Sequence, residues 1–61
     1  MNGKQVIKLL KDDGWEILRV RGSHFRLGKG DQRTTVPVHG KRDLGSGLLK
    51  TIEKQTGVKL L

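Results

Sequence analysis

Two histidines, His24 and His39, are the side chains of this chain best suited to proton transfer near neutral pH. The chain has no cysteine or tyrosine that could share that work. Its 61 residues carry a formal net charge of +7, so the surface attracts polyanions. An acid–base group on a cationic surface could cleave a phosphodiester bond, and in RNA the neighbouring 2′-hydroxyl already supplies the nucleophile.

The segment Gly22-Ser23-His24-Phe25 opens a short alternation of apolar and polar residues. Successive side chains of a strand point to opposite faces, so Phe25 and Leu27 would share one face and His24 and Arg26 the other. If Phe25 faces the core, His24 faces solvent. His24 is therefore the candidate catalytic residue, as base or as acid, and Arg26 is the candidate cation for charge that develops on a phosphate.

Other polar residues around this hairpin each have two interpretations. Ser23 could bind a phosphate or simply complete the turn. His39 could be a second acid–base group, or it could shape the loop that follows Pro37, and nothing in the sequence brings it near His24. The lysines and arginines predicted to lie in loops add a diffuse positive field. The candidate RNA contacts are Ser23, Arg19, Arg21, Arg26 and Lys41.

Metal chemistry is not expected, and no cofactor is predicted. The six acidic residues show no spacing that would gather carboxylates around magnesium. Without cysteine there is no zinc finger and no disulfide framework, which fits a reducing compartment. Trp15, directly after Gly14, could stack on a base, but its position between a helix and a strand favours packing in the core.

The length of 61 residues predicts one domain that spans residues 1–61. A domain of this size buries only about 60% of the surface that its unfolded chain exposes. No apolar run approaches the roughly 20 residues that a membrane helix needs, and no signal peptide precedes the first helix. The chain is therefore expected to be a soluble protein of the cytoplasm.

Two amphipathic helices are predicted at the two ends of the chain. Asn2 caps the first helix, with Gln5 three residues on as its capping-box partner, and Gly14 ends it as a left-handed cap. The second helix begins near Ser46 or Gly47, with Ser46 as the predicted N-cap, and ends at Gly57.

Between the helices, three strands are predicted over residues 15–21, 24–27 and 34–38. The first strand alternates imperfectly, because Trp15 and Ile17 share one face whereas Leu18 and Val20 share the other. A bulge that shifts the phase would explain this pattern, and so would partial cover of both faces.

Short connections predict an antiparallel meander in the order 1-2-3, with a tight turn at Gly22-Ser23 and a flexible loop over residues 28–33. Pro37 places the third strand at an edge or at its end. One sheet and two helices share a core when both helices cover the same face, which makes an α+β two-layer sandwich. The other face stays open and carries His24 and Arg26.

This succession of residues resembles the HicA family, the small toxins of HicA–HicB toxin–antitoxin pairs. The matching residues extend over nearly the whole chain: Leu9-Leu10, Gly14-Trp15, Arg19, Gly22-Ser23-His24, Val36-Pro37-Val38-His39, Gly47, Leu49, Ile52 and Gly57. The resemblance implies a fold like that of double-stranded-RNA-binding domains and a ribonuclease that cuts mRNA and halts translation. It also implies silencing by a HicB-type antitoxin, with the catalytic histidine of the family at His24.

Three classes of function follow from these observations. The first is an RNA endonuclease toxin that uses a histidine and no metal. The second is an RNA-binding module of the same architecture without catalysis. The third is an interaction protein whose positive charge serves only an acidic partner; a gene for an antitoxin beside this one would favour the first.

Overall fold

A computed structural model describes all residues, 1–61, as two helices and a three-stranded sheet. The elements follow one another as α1 (Gly3–Asp12), β1 (Glu16–Arg21), β2 (His24–Lys29), β3 (Gln32–Pro37) and α2 (Ser46–Thr56). The sheet is antiparallel in the order β1-β2-β3, and both helices contact β3. The predicted α+β two-layer sandwich is confirmed, with the element order of a double-stranded-RNA-binding domain. Neither helix has the length and apolarity that crossing a membrane requires.

The ends of α1 confirm the capping that the sequence predicts. The side chain of Asn2 accepts a hydrogen bond from the Gln5 backbone N–H at 2.9 Å, and the Gln5 side chain accepts one from the Asn2 N–H at 2.8 Å. Gly14 follows the helix with a φ of 96°. This left-handed conformation strains residues that carry a Cβ, so glycine suits the sharp reversal into Trp15 and β1.

The two hairpins differ in how well the sequence predicts them. Gly22 and Ser23 form the expected two-residue turn, since Arg21 pairs directly with His24. The flexible loop predicted over residues 28–33 is wrong, because Lys29 pairs with Gln32 and only Gly30 and Asp31 make the turn. The ladder is built from backbone groups, which polar residues and glycine supply as well as apolar ones.

Two further boundaries differ from the prediction. The third strand begins at Gln32 and ends at Pro37 rather than Val38. Ser46 is the first residue of α2 and not its N-cap, a position that Gly45 occupies without any side-chain hydrogen bond. The far end of α2 is as predicted, with Gly57 in the left-handed region at a φ of 75°.

The hydrophobic core lies between the sheet and the two helices. Its buried side chains are Val6, Ile7, Leu10, Trp15, Leu27, Val36, Leu49, Ile52 and Leu60. Trp15 is only 2% exposed, which confirms its packing role. All six residues of β1 are exposed, whereas both helices contact β3, at the opposite edge of the sheet. The other face of the sheet carries no cover and is called the open face below.

The chain terminus is held against α2 by one carboxylate. Glu53 accepts hydrogen bonds from the backbone N–H groups of Leu61, at 2.8 Å, and of Leu60. These two bonds stabilise the charged form and lower the pKa of Glu53 from its ordinary value. The arrangement seats Leu60 in the core, as a packed tail.

Two glycines allow the contact between α1 and β3 to be tested. At Gly3 a Cβ would overlap the carbonyl oxygen of Pro37 and lie 2.9 Å from Cγ2 of Val38, whereas at Gly47 nothing lies within 4 Å. We expect Gly3→Ala to destabilise the fold by about 1–3 kcal/mol through overpacking. Gly47→Ala should stabilise it by up to about 1 kcal/mol, because alanine is the better helix former.

Urea unfolding of the two variants beside the parent chain measures both changes. Changes of the same sign in the two variants would contradict the close approach of α1 to the end of β3. The same end of β3 lies beside the candidate residue His24, because Pro37 pairs with His24.

Candidate active site

One pocket on the open face gathers the basic residues around His24. Its volume is about 240 Å³, and its lining is entirely polar: Arg19, Arg21, His24, Arg26 and Thr35. The pocket crosses all three strands. In one row Arg21 pairs with His24, and in the next row Arg26 lies between Arg19 on β1 and Thr35 on β3.

The alternation of β2 determines which of its side chains reach this pocket. Leu27 is buried and Phe25 packs against the core, whereas His24 and Arg26 are exposed. His24 and Arg26 therefore share the open face, as their spacing predicts. Their chemical roles stay predictions.

A β-bulge in β1 brings the two further arginines to the same face. Ile17 pairs with Leu27 on the core side, and the register then shifts before Arg19. Directly opposed residues share a face, so Arg19 joins Arg26 on the open face and Arg21 joins His24. Strict alternation from Ile17 would have turned both arginines towards the helices. Of the two explanations for the irregular pattern of β1, the bulge is the one observed.

Thr35 was missed by the sequence interpretation. Its hydroxyl oxygen accepts a hydrogen bond from Nη1 of Arg26 at 2.9 Å. Counting outward from a two-residue turn at Gly30-Asp31 places Thr35 opposite Arg26, so the signal was present in the sequence. The prediction of a loop over residues 28–33 gave no strand register from which to count.

No carboxylate neutralises the arginines of the pocket. The two ion pairs of the chain join the N-terminal amine to Asp43 at 3.4 Å and Lys29 to Asp13 at 3.2 Å. Arginines that lack an acidic neighbour leave a positive potential in the pocket. The pocket is therefore suited to an anion with several oxygens, and guanidinium groups bind phosphate well.

Three of the predicted site residues do not line the pocket. The Ser23 carbonyl accepts the Val38 N–H at 2.7 Å, and the His39 carbonyl accepts the Arg42 N–H at 3.1 Å. Lys41 is exposed in the turn that follows. The structure thus shows backbone contacts for Ser23 and His39 and brings neither into the pocket. No three His, Cys, Asp or Glu side chains come together in a group that could hold a metal ion.

Fold and pocket together define a class of protein: a small, basic α+β domain that presents an imidazole and three guanidinium groups on the open face of its sheet. The model of the family described as HicA toxin of bacterial toxin–antitoxin systems matches residues 3–58. The chain is also similar to the probable mRNA interferase HicA of Pseudomonas fluorescens (strain Pf0-1). The two are 42% identical over 59 residues, which cover 97% of this chain and 98% of that relative. The chain belongs to the HicA toxin family.

Proposed function

We propose that this chain is an RNA endonuclease, an mRNA interferase that cleaves mRNA and so inhibits translation as the toxin of a toxin–antitoxin system. The observation that carries the proposal is the pocket in which His24 lies beside Arg19, Arg21 and Arg26. The printed name of the Pseudomonas relative, an mRNA interferase, supports the same activity. Residues 1–61 would act as one RNA-binding nuclease domain, in the cytoplasm where mRNA is found.

The proposed reaction uses the 2′-hydroxyl of the RNA, two proton-transfer groups and several cations; the pocket holds one imidazole and three guanidinium groups. The 2′-oxygen of a ribose attacks the adjacent phosphorus, forming the P–O2′ bond while the P–O5′ bond breaks. A base takes the proton of the 2′-hydroxyl and an acid protonates the leaving 5′-oxygen, and His24 performs one of these two transfers. Arg26, with Arg19 and Arg21 beside it, stabilises the negative charge that grows on the nonbridging oxygens.

His39 remains the proposed second acid–base residue. It lies two positions beyond Pro37, and Pro37 pairs with His24, so His39 follows the end of β3 at the same end of the sheet as His24. Ser23 and Lys41 remain proposed phosphate contacts. Ser23 lies in the turn beside His24, and its hydrogen bond to Val38 joins that turn to the chain segment that leads to Lys41.

Cleavage by this route should persist in EDTA and leave 2′,3′-cyclic phosphate ends or their 3′-phosphate hydrolysis products. The physical reason is that both the nucleophile and the proton transfers come from RNA and protein, without a metal-bound water. End-group analysis of a purified RNA cut by the purified chain, with and without chelator, measures this. Chelator-sensitive cleavage that leaves 5′-phosphate and 3′-hydroxyl ends would instead require a metal. If the chain binds RNA without cutting it, the alternative of a non-catalytic RNA-binding module is favoured.

A toxin of this family has an antitoxin partner, and we propose one of the HicB type that covers the open face around His24. Blocking the pocket is the simplest way to keep RNA from an exposed site. With +7 on 61 residues, an acidic partner is steered to the surface, so association should slow as salt rises while dissociation changes less.

Hydrogen exchange of the free and bound chain tests this partner site. We expect slower exchange across residues 22–27 in the complex, because these amides lie beneath the pocket. Stopped-flow measurement of the association rate at two salt concentrations shows how strongly charge steers the partner to the surface. Protection restricted to the outer surfaces of α1 and α2, with residues 22–27 unchanged, would contradict a partner that covers His24.

A further inference from the structure

A second surface on the open face lies one row beyond the arginine pocket, around Gly28. A Cβ at Gly28 would lie 2.6 Å from Cδ1 of Leu18, 3.0 Å from Nη1 of Arg33 and 3.2 Å from Cζ of Arg33. The side chains of Leu18 and Arg33 therefore lie over the backbone of Gly28, from the strands on either side of it. Gly28 is buried although it belongs to the open face. We name this surface, formed by Leu18 and Arg33 over Gly28, the Gly28 platform.

The guanidinium of the Gly28 platform is held in place by backbone. Nη1 of Arg33 donates to the carbonyl oxygens of Gly30, at 2.8 Å, and of Gln32, at 2.7 Å. Two backbone carbonyls thus hold Nη1, which restricts the orientation of the guanidinium. A planar cation immobilised in this way offers a face for stacking without the entropy loss of ordering a free arginine.

The leucine of the platform is exposed because of the β-bulge. Leu18 is the extra residue between Ile17 and Arg19, and its contact with Gly28 places it on the open face. It is 50% exposed. Leu18 and the guanidinium of Arg33 together make a partly apolar patch one row beyond the arginine pocket.

Proteins that bind single-stranded RNA stack bases on aromatic rings or on arginine planes. The two aromatic residues of this chain cannot supply a ring on the open face, because Trp15 is buried and Phe25 packs against the core. From the held plane of Arg33 and the exposed Leu18, we infer that the Gly28 platform binds a nucleobase of the RNA substrate. The inference rests on the proposed function and adds to it a site for the base of a neighbouring nucleotide.

The spacing along β2 is suited to that role. Gly28 is two residues beyond Arg26 and four beyond His24, which corresponds to about 7 Å and about 14 Å along the strand. An RNA strand that follows β2 with the scissile phosphate at His24 passes the arginines and then brings a nearby base over Gly28. The pocket would hold phosphate, and the platform would hold a base.

The test uses a short single-stranded RNA with 2′-O-methyl groups on every ribose, which binds but is not cut. Its affinity is measured by fluorescence anisotropy over a range of salt concentrations for the parent chain, Leu18→Ala and Arg33→Lys. Each variant should bind about five-fold more weakly, the low end of the range for base stacking. The slope of log affinity against log salt should stay unchanged, because neither substitution removes a charge.

Leu48→Ala is the matched control, since Leu48 is an exposed leucine on α2, in the layer that covers the other face of the sheet. It should leave RNA affinity unchanged. The unfolding midpoint of each variant is recorded in parallel, so that a loss of fold is separated from a loss of contact.

A second measurement replaces one base at a time by an abasic site. At one position the parent chain should lose about five-fold in affinity, and Leu18→Ala and Arg33→Lys should be insensitive to the same change. Parent-level affinity in both variants would overturn the inference. So would an abasic series without effect on the parent chain, or variants that weaken only the antitoxin complex. If the parent chain itself neither binds nor cuts RNA, the proposed function fails as well. If it cuts RNA normally and the two variants bind RNA as the parent does, only the inference about the Gly28 platform is overturned.

Discussion

Replacing His24 by alanine is expected to abolish RNA cleavage while the fold stays intact. Loss of a general acid or base lowers a rate by about 10²–10⁴-fold. The imidazole is exposed on the open face, so its removal should change the free energy of unfolding by no more than about 0.5 kcal/mol. In cells the variant should not arrest growth. Cleavage assays with purified RNA, beside urea unfolding of the same preparation, measure both effects.

His39→Ala is the matched comparison, because it removes the other histidine of the chain from outside the pocket. If His39 is the second acid–base residue, its loss removes one limb of the pH dependence of cleavage. If His39 only shapes its turn, the pH profile keeps its form. A folded, well-expressed His24→Ala chain that still cuts RNA and arrests growth would exclude His24 from the mechanism.

Arg26→Ala should cause the second largest loss, about 10²-fold in kcat with a smaller change in KM. The reason is that a cation aimed at the nonbridging oxygens interacts most strongly when their charge develops, as a donor of an oxyanion hole does. The bond from Arg26 to Thr35 at 2.9 Å orients the guanidinium. Thr35→Val should therefore reduce kcat about five-fold, the value of one hydrogen bond, and Thr35→Ser should restore it.

Lys4→Ala is the control for charge, since Lys4 is exposed on α1, in the other layer of the sandwich. It removes the same unit of charge as Arg26→Ala and should leave kcat unchanged. Single-turnover cleavage separates the chemical step from RNA binding. Equal losses in Arg26→Ala and Lys4→Ala would show that the pocket contributes only a diffuse field and no aimed contact.

Much of the architecture could be predicted from short-range patterns. The capping box at Asn2 and the left-handed Gly14 are local features, and the structure confirms both. The apolar stripe of each helix is confirmed only in part, because Leu9 and Leu48 are exposed. The alternation after Gly22-Ser23 also places His24 and Arg26 together, because the period of a strand operates over neighbouring residues. The placement of His24 and Arg26 on one face could therefore be predicted without any knowledge of the fold.

Two errors concern exposed polar residues and glycines. Residues 28–33 contain glycines and charges, and they were predicted as a loop although most of them lie in strands. Ser46 is a favourable N-cap residue by type, yet Gly45 holds that position. Backbone hydrogen bonds between the paired strands decided the first case, because glycine and polar residues supply the same backbone groups as apolar ones.

The sequence by itself determined the order of the elements, the core side of β2 and the histidine on its open face, since all of these follow from periodicity within a few residues. Only the tertiary structure decided which residues meet His24 across the sheet. The bulge at Leu18 turns Arg19 and Arg21 to the open face, and the short turn at Gly30-Asp31 aligns Thr35 with Arg26. Register is a property of paired strands, set by hydrogen bonds between distant segments, and one residue of slip would move every side chain to the other face.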